Sequence, residues 1–349
     1  MKRTLVFLAL TMFLNLVSDL IELPKNPDVP QWKAELVQET ELEDIQTYAT
    51  QMMYYNDNLY FSDVGQPAVV VFDLKGNYLK TIGRKGKGPG EFGRADYLWS
   101  ESDKEFFSVF DGANRRISHF DFEGNFIDSE TYDVNQNMYT TRLGSNDVSE
   151  IARMSFGKKM LRHTTVVLDT KPDAVELYHT ASHPAMLGRY NFEKPYFATL
   201  DDKLFLTYVS TKDYNLKIFD NMGNLIREIS KKCDRIPITG EELKEQKEVA
   251  EKLEIRMKKN LTIDKDVYGF ENINNNIFSD REEFIWVSTT DFKGNFLDVY
   301  DFQGELVAQC RGAEDDYFIK AHIQDGFIYS LIYDNENEMY LLKKFRVVK

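Results

Sequence analysis

A dense cluster of cations is Arg84, Lys85 and Lys87, inside Ile82-Gly83-Arg84-Lys85-Gly86-Lys87-Gly88-Pro89-Gly90-Glu91-Phe92. Positive groups this close could hold a carboxylate. The glycine spacing also suggests a phosphate loop, in which backbone amides cradle phosphates and a lysine reaches them. That chemistry fails. Gly83 and Gly88 have the required separation, but Pro89 stands where the lysine must be, and no Ser or Thr follows. The glycines instead permit tight backbone turns. The five histidines (119, 163, 179, 183 and 322) form no His-Glu-x-x-His pattern and no close Cys/His set, so there is no zinc motif. His179 and His183, four apart, precede Pro184 and read as loop residues. Asp334-Asn335-Glu336-Asn337-Glu338 alternates oxygen ligands as calcium loops do, but lacks their glycine and distal glutamate. A hairpin turn accounts for the same residues. Glu314-Asp315-Asp316 reads as a similar solvated turn. No Gly-x-Ser-x-Gly elbow supplies a nucleophile. No cofactor is expected, and calcium is the ion these acidic turns would take.

The elements that would position such residues repeat. Phe72-Asp73-Leu74-Lys75-Gly76, Phe120-Asp121-Phe122-Glu123-Gly124, Leu168-Asp169-Thr170-Lys171-Pro172, Phe219-Asp220-Asn221-Met222-Gly223 and Tyr300-Asp301-Phe302-Gln303-Gly304 carry one turn, with last residues 48, 48, 51 and 81 positions apart. Removing a helical insert over residues 231–263 reduces the 81 to 48. Such a period, with several short strands per unit, indicates a β-propeller. Blade 2 reads as Phe106 to Phe110, Arg116 to Asp121 and Phe126 to Tyr132, with apolar and aromatic residues alternating. Blade 3, with Pro172 in place of the glycine, is the weakest match. The next turn glycine would fall near residue 352, past Lys349, so blade 6 lacks an outer strand. Ala34 to Thr40 alternates like a strand and is expected to supply it, which removes the exposed sheet edges of an open ring. The expectation is an all-β, six-bladed propeller of four-stranded blades, closed by an N-terminal strand, with one helical insert between blades 4 and 5. In that insert Thr239 and Glu242 form a capping box, and Leu243, Ala250, Leu253, Met257 and Leu261 an apolar stripe.

Bulk properties narrow the partners. Net charge is −14 with no concentrated basic surface, which excludes nucleic acid and argues against an anionic membrane. Lys2 and Arg3 precede an apolar run from Leu5 to Val17, ended by Asp19. This reads as a secretory signal over residues 1–18, with the propeller over 19–349 and no membrane span after cleavage; an uncleaved anchor is the alternative. No Cys near the end of the run could carry a lipid. Cys233 and Cys310 are expected to be free, partly buried thiols just past the outer strands of blades 4 and 5.

Asp111-Gly-Ala-Asn114-Arg115-Arg116-Ile117-Ser-His-Phe120-Asp121-Phe-Glu-Gly124-Asn-Phe126 resembles the repeat of NHL-type propellers, and the Gly-Pro-Gly run at 88–90 resembles their link between blades. With the leader, the chain resembles the TolB-like or NHL-like six-bladed propellers exported by gut-type Gram-negative bacteria. Blades 3 and 6 depart from that pattern. The resemblance implies a location in the periplasm or cell envelope and, for most members, no assigned activity. In propellers the loops joining second and third strands share a face with the inter-blade links. Here that face would collect Gln66, Asn114, Arg115, Lys158, Lys212, Asp213, Lys293 and Asn335, with Arg84 from the link and the helical insert. Asp111 and Arg116, at repeat positions, are expected to brace neighbouring strands. The sequence favours a non-catalytic binding or scaffold module that takes a protein, peptide or glycan on this face. The alternative is a metal-dependent lactonase or lyase, which needs three or four Asp, Glu, Asn or His side chains on the axis.

Overall fold

The computed structural model describes residues 20–23, 29–43, 45, 49–100, 105–131, 139–143, 146–156, 160–170, 174–182, 195–208, 213–232, 240, 244, 248, 274–291, 294–313, 318, 320–334 and 337–349. The expected signal, Cys233 and most of the helical insert lie outside them; Gly240, Lys244 and Glu248 of the insert are helical and exposed.

Alternating apolar strands and Asx turns build six antiparallel sheets arranged as a ring. Blade 1 is Ala49–Tyr55, Asn58–Asp63, Ala68–Asp73 and Tyr78–Ile82, from axis to rim. Blade 2 is Tyr97–Ser100, Phe106–Asp111, Arg116–Asp121 and Phe126–Thr131. Blade 3 is Tyr139–Leu143, Asn146–Phe156, Met160–Asp169 and Ala174–Ser182. Blade 4 is Pro195–Leu200, Lys203–Tyr208, Asp213–Phe219 and Leu225–Lys232, with Leu20–Leu23 added in parallel at its rim. Blade 5 is Asn274–Ser279, Phe284–Asp291, Gly294–Asp301 and Leu306–Arg311. Blade 6 is Ala321–Gln324, Phe327–Asp334, Met339–Val348 and, as its outer strand, Gln31–Leu42. The innermost strands touch in cyclic order, the sixth meeting the first.

The closing strand is therefore where the sequence places it, but longer. A register shift between Leu36 and Gln38 breaks its alternation and leaves Leu36 and Val37 exposed. Its first residues also pair in parallel with blade 5, Trp32 opposite Cys310, so one strand joins two blades. Cys310 lies within the rim strand of blade 5 rather than past it, free and fully buried, and burial pushes its thiol up to about 12.

The core is a set of layers between blades. Phe61, Val70 and Phe72 of blade 1 pack on Tyr329 and Leu342 of blade 6, while Tyr60, Val69 and Val71 pack on Phe107 and Val109 of blade 2. Both faces of a middle strand are thus buried, which explains unbroken runs such as Ala68 to Phe72. The repeated turn fastens blades 1, 2, 4 and 5 each to the blade before it. In blade 2 the Asp121 amide donates to the Asn125 carbonyl and the Gly124 amide to the Asp121 carbonyl, each at 3.0 Å. Asp121's carboxylate accepts from the backbone and side-chain amides of Asn125 at 2.7 and 2.8 Å, which hold its carboxyl below the usual range. A bulge at His119/Phe120 follows from the extra residue, and blades 1, 4 and 5 repeat it. Gly124 has φ +98°, and a Cβ there would meet Ile82 of blade 1 at 2.9 Å. Left-handed backbone and close approach both demand glycine.

Candidate functional site

Strand direction defines the two faces. Each innermost strand starts where an inter-blade link ends, so links and second-to-third-strand hairpins share one face, and the glycine turns lie on the other. The link of residues 83–96 is held rigidly on the first face. Arg84–Lys85 pairs in parallel with Glu91–Phe92. Glu91's carboxylate accepts from the amides of Lys87 (3.1 Å) and Gly88 (2.8 Å) and from Arg84 (2.9 Å); the Gly88 amide and Arg84 hold its carboxyl below the usual range. The glycine-rich loop is thus an anion nest filled by its own glutamate. Asp111, fully buried, accepts from Gly93 (2.8 Å), Arg94 (3.0 Å) and Asn114 (3.0 and 2.7 Å). Asn114 donates to Gly86 O at 2.8 Å, and Arg116 donates to the carbonyls of Lys87, Gly88 and Glu91. Asp111 and Arg116 do brace, but their partners are the link rather than neighbouring strands.

Of the face residues singled out in sequence, Arg84, Asn114 and Arg115 converge on this braced link. Arg84 is ion-paired to Glu91 with its side chain 81% exposed, Asn114 is engaged as above, and Arg115 is exposed at φ 53°. Gln66 lies in the corresponding hairpin of blade 1, and Asp213 opens a middle strand of blade 4 opposite Lys232. Lys158, Lys212, Lys293 and Asn335 lie outside the described residues. Asp334, beside Asn335, spends its carboxylate on the Asn337 amides at 3.3 and 2.7 Å, closing the hairpin. Among the described residues no three His, Cys, Asp or Glu side chains could jointly hold a metal ion. His119 and His179 are engaged with Ser108 and Thr165 at 2.8 and 2.9 Å.

At the centre of the same face, a cavity of about 200 Å³ lies on the axis. Its lining comes from the beginnings of the innermost strands: Gln51 and Met52, Tyr97, Pro195 to Phe197, Asn276 to Phe278, and Lys320 with Ala321. Glu150 joins them from blade 3, paired with Tyr139, the first residue of that innermost strand. Each blade therefore gives one polar or charged residue, in order Gln51, Tyr97, Glu150, Tyr196, Asn276 and Lys320. Glu150 is 5% exposed, and burial pushes the Lys320 ammonium down to about 8. The Gln51 side-chain oxygen accepts from the Leu98 amide at 3.0 Å, and that of Asn276 from the Ile277 amide at 2.8 Å. These six were missed in sequence because no residue type repeats around the ring beyond the two tyrosines, and Glu150 comes from a second strand instead of an innermost one. The signal available was positional and covers five of them: a residue at or near the start of the first strand after a link.

A family model described as a 6-bladed β-propeller, DUF5128, matches residues 39–187, from the closing strand to just past blade 3. That is fewer than half of the residues. No curated protein matches the chain. Among solved structures, a protein of Bacteroides fragilis named as exported superposes with a TM-score of 0.55 at 12% identity, covering 95% of this chain and 100% of that one. The likeness is one of fold. Virginiamycin B lyase of Staphylococcus aureus (an inactive variant with quinupristin; TM-score 0.48, 11% identity, 91% and 100% covered) follows, as does the calcium-binding protein regucalcin of Agrobacterium tumefaciens (0.45, 10%, 91% and 96%). The last two scores are too low to bear on function. No helix among the described residues is long and apolar enough to cross a membrane.

Proposed function

We propose that the protein is an exported, non-catalytic binding propeller of the periplasm or cell envelope, which takes its ligand on the link face, centred on the axial cavity. The observation that carries this reading is the ring of six polar residues of five types, one per blade, around a cavity at the end of the channel where the braced link presents its cations. A few polar groups set in an apolar wall fix a ligand's orientation. The leader, Lys2 and Arg3 before Leu5 to Val17, supports export. The occupant reaches the face as a small molecule or as the end of a peptide or glycan. A metal-dependent lactonase or lyase would need three or four Asp, Glu, Asn or His ligands on the axis; Glu150 and Asn276 are the two such residues among the described lining.

The test is thermal melting and native mass spectrometry of the purified protein with the low-molecular-weight fraction of an envelope extract. One retained molecule per chain and a raised midpoint are expected, both weakened in Asn276→Leu. A ligand at a hundredfold excess over its Kd stabilises by about 2.7 kcal/mol. The retained molecule should be recovered unchanged; recovery as a product would overturn the non-catalytic reading. No shift and no retained mass would overturn axial binding. A midpoint raised by calcium, magnesium, manganese or zinc and reversed by chelator would instead favour the metal enzyme.

A further inference from the structure

The braced link of residues 83–96 and the hairpin of residues 111–116 carry six cations and three carboxylates, in a chain of net charge −14. All three carboxylates are engaged inside. Glu91 fills the nest and pairs with Arg84. Asp96 pairs with Arg94 at 2.6 Å and accepts the Gly112 amide at 2.9 Å, and Asp111 is fully buried. Arg116 points inward onto link carbonyls. That leaves Lys85, Lys87 and Arg115, exposed, with no ion pair or hydrogen bond from their side chains to any described residue. The Asn114 bond to Gly86 O, at 2.8 Å, sets the Arg115 backbone beside theirs. Arg84 and Arg94, though ion-paired, keep side chains 81% and 58% exposed. Arg115 also holds a left-handed φ of 53°, which Gly, Asn and Asp tolerate and Arg does not favour. Blade 6 builds the same hairpin from Asp334 and Asn337, and its left-handed residue, also at φ 53°, is Glu338. The turn sets the conformation and leaves the charge free. A strained position that presents a cation without an internal partner marks a contact.

Going beyond the axial ligand, we infer that the blade 2 link docks an acidic segment of a partner protein, its closely spaced Asp or Glu carboxylates on Lys85, Lys87 and Arg115. Clustered cations recognise acidic motifs through charge-assisted hydrogen bonds. The loop offers little else. Its Lys87 and Gly88 amides, the cradle a phosphate would need, hold Glu91. The carbonyls of residues 86–88 hold Asn114 and Arg116. No large apolar side chain is exposed in the link or the hairpin, so a sugar ring has no exposed aromatic to lie on. A short acidic run also fits better than a long polyanion. Screening over about 8 Å in physiological salt lets a short run meet only the local cations, whereas a polymer would also meet the rest of an acidic chain. Because the loop is braced in advance, little ordering is left for the partner to impose.

Fluorescence anisotropy on the purified protein tests this, with a labelled peptide of four glutamates between glycines, its glutamine counterpart, and a labelled oligogalacturonate of matched charge. The glutamate peptide should bind at least about tenfold more tightly than the glutamine one, and should weaken as salt is raised. Reversing the three charges together, with Lys85→Glu, Lys87→Glu and Arg115→Glu, should erase that preference, and melting confirms that the variant folds. Arg115→Asn suits the left-handed turn without the cation, so peptide affinity should fall while the melting midpoint holds or rises. Equal binding of both peptides, or binding untouched by the charge reversal, overturns the inference. Tighter binding of the oligogalacturonate overturns it in favour of an acidic glycan. A dimer in sedimentation that the charge reversal dissociates, with no peptide bound, overturns it in favour of a second copy of the chain. The axial reading fails separately: an inert peptide beside an extract fraction that still raises the midpoint removes the acidic partner alone, and the converse removes the axial ligand alone.

Discussion

Lys320 and His322, two residues apart at the start of the innermost strand of blade 6, hold their titratable groups out of water in different ways. Burial depresses the Lys320 ammonium from its usual 10.5 to about 8. Between those values the unfolded chain holds a proton that the folded chain lacks, so stability falls as pH drops through that window and is level below it. At pH 7 the buried charge costs up to about 3 kcal/mol, from 1.36 kcal/mol per pKa unit. Lys320→Met should therefore raise the urea midpoint at pH 7 while weakening axial binding. An unchanged or lower midpoint would mean the ammonium is compensated inside the fold. His322 lies flat on Tyr54 of blade 1, ring centroids 4.2 Å apart and 10° from parallel, which ties the last blade to the first. Burial lowers it from 6.5 to about 4, outweighing the Gln324 hydrogen bond. Its folded pKa is depressed, so the neutral ring's contribution is intact above pH 6.5 and is lost as pH falls toward 4. His322→Phe keeps a stackable ring without a titrating group. Unfolding measured from pH 7 to 4 should show a shallower loss in the variant, and parallel curves would remove His322 from the acid response.

The Asp-x-x-Gly turn decides how blades meet. Gly124→Ala puts a Cβ 2.9 Å from Ile82 Cγ1 at φ +98°, so left-handed strain adds to a displaced neighbour. The expected loss is roughly 2–3 kcal/mol, about 1–2 from the backbone and the rest from the clash. Gly240, helical and exposed with nothing within 4 Å of an added Cβ, is the control; Gly240→Ala should be neutral or stabilising by up to about 1 kcal/mol. Equal effects in chemical denaturation would show that the turn carries no inter-blade load. This turn was legible in sequence because one geometry imposes one residue set: aspartate to accept the turn amides, glycine for the left-handed position, an apolar residue before both. The middle strands were legible for a related reason, since burial on two faces demands apolar residues throughout. The innermost strands were not. Their residues face neighbouring blades and an axial cavity whose lining differs blade by blade, so no periodic constraint marks Tyr97, Tyr196 or Asn276. The site faces opposite ways in this respect from the fold, built from what the blades do not share.

At the scale of the molecule, the ring holds only if its two ends are joined, and Gln31–Leu42 is the join. It runs antiparallel to Met339–Val348 for most of its length and parallel to Leu306–Arg311 at its start, so it belongs to blade 6 and is stapled to blade 5. Trp32 is the packing centre of that staple. It sits 5.8 Å from Trp286 and 5.7 Å from Phe284, centroid to centroid, in the layer that contains Leu297, Cys310 and Phe345. The Lys349 ammonium lies 4.9 Å over its ring, bringing the chain's last residue onto its first long strand. Truncating a buried Trp to Ala costs about 3–5 kcal/mol from lost transfer energy and an unfilled cavity. Because the strand closes the ring, that loss should be felt everywhere and not only at the seam. Trp32→Ala should lower the denaturant midpoint with an unchanged slope, and far-ultraviolet and near-ultraviolet circular dichroism should still report one transition. A seam that opens by itself would behave differently: the variant would keep the main midpoint, and a separate early change would appear in the near-ultraviolet signal as the aromatic layer between blades 5 and 6 came apart. That outcome would make closure a local contact. A single shifted transition would make it the condition on which all six blades, and the axial cavity they share, depend.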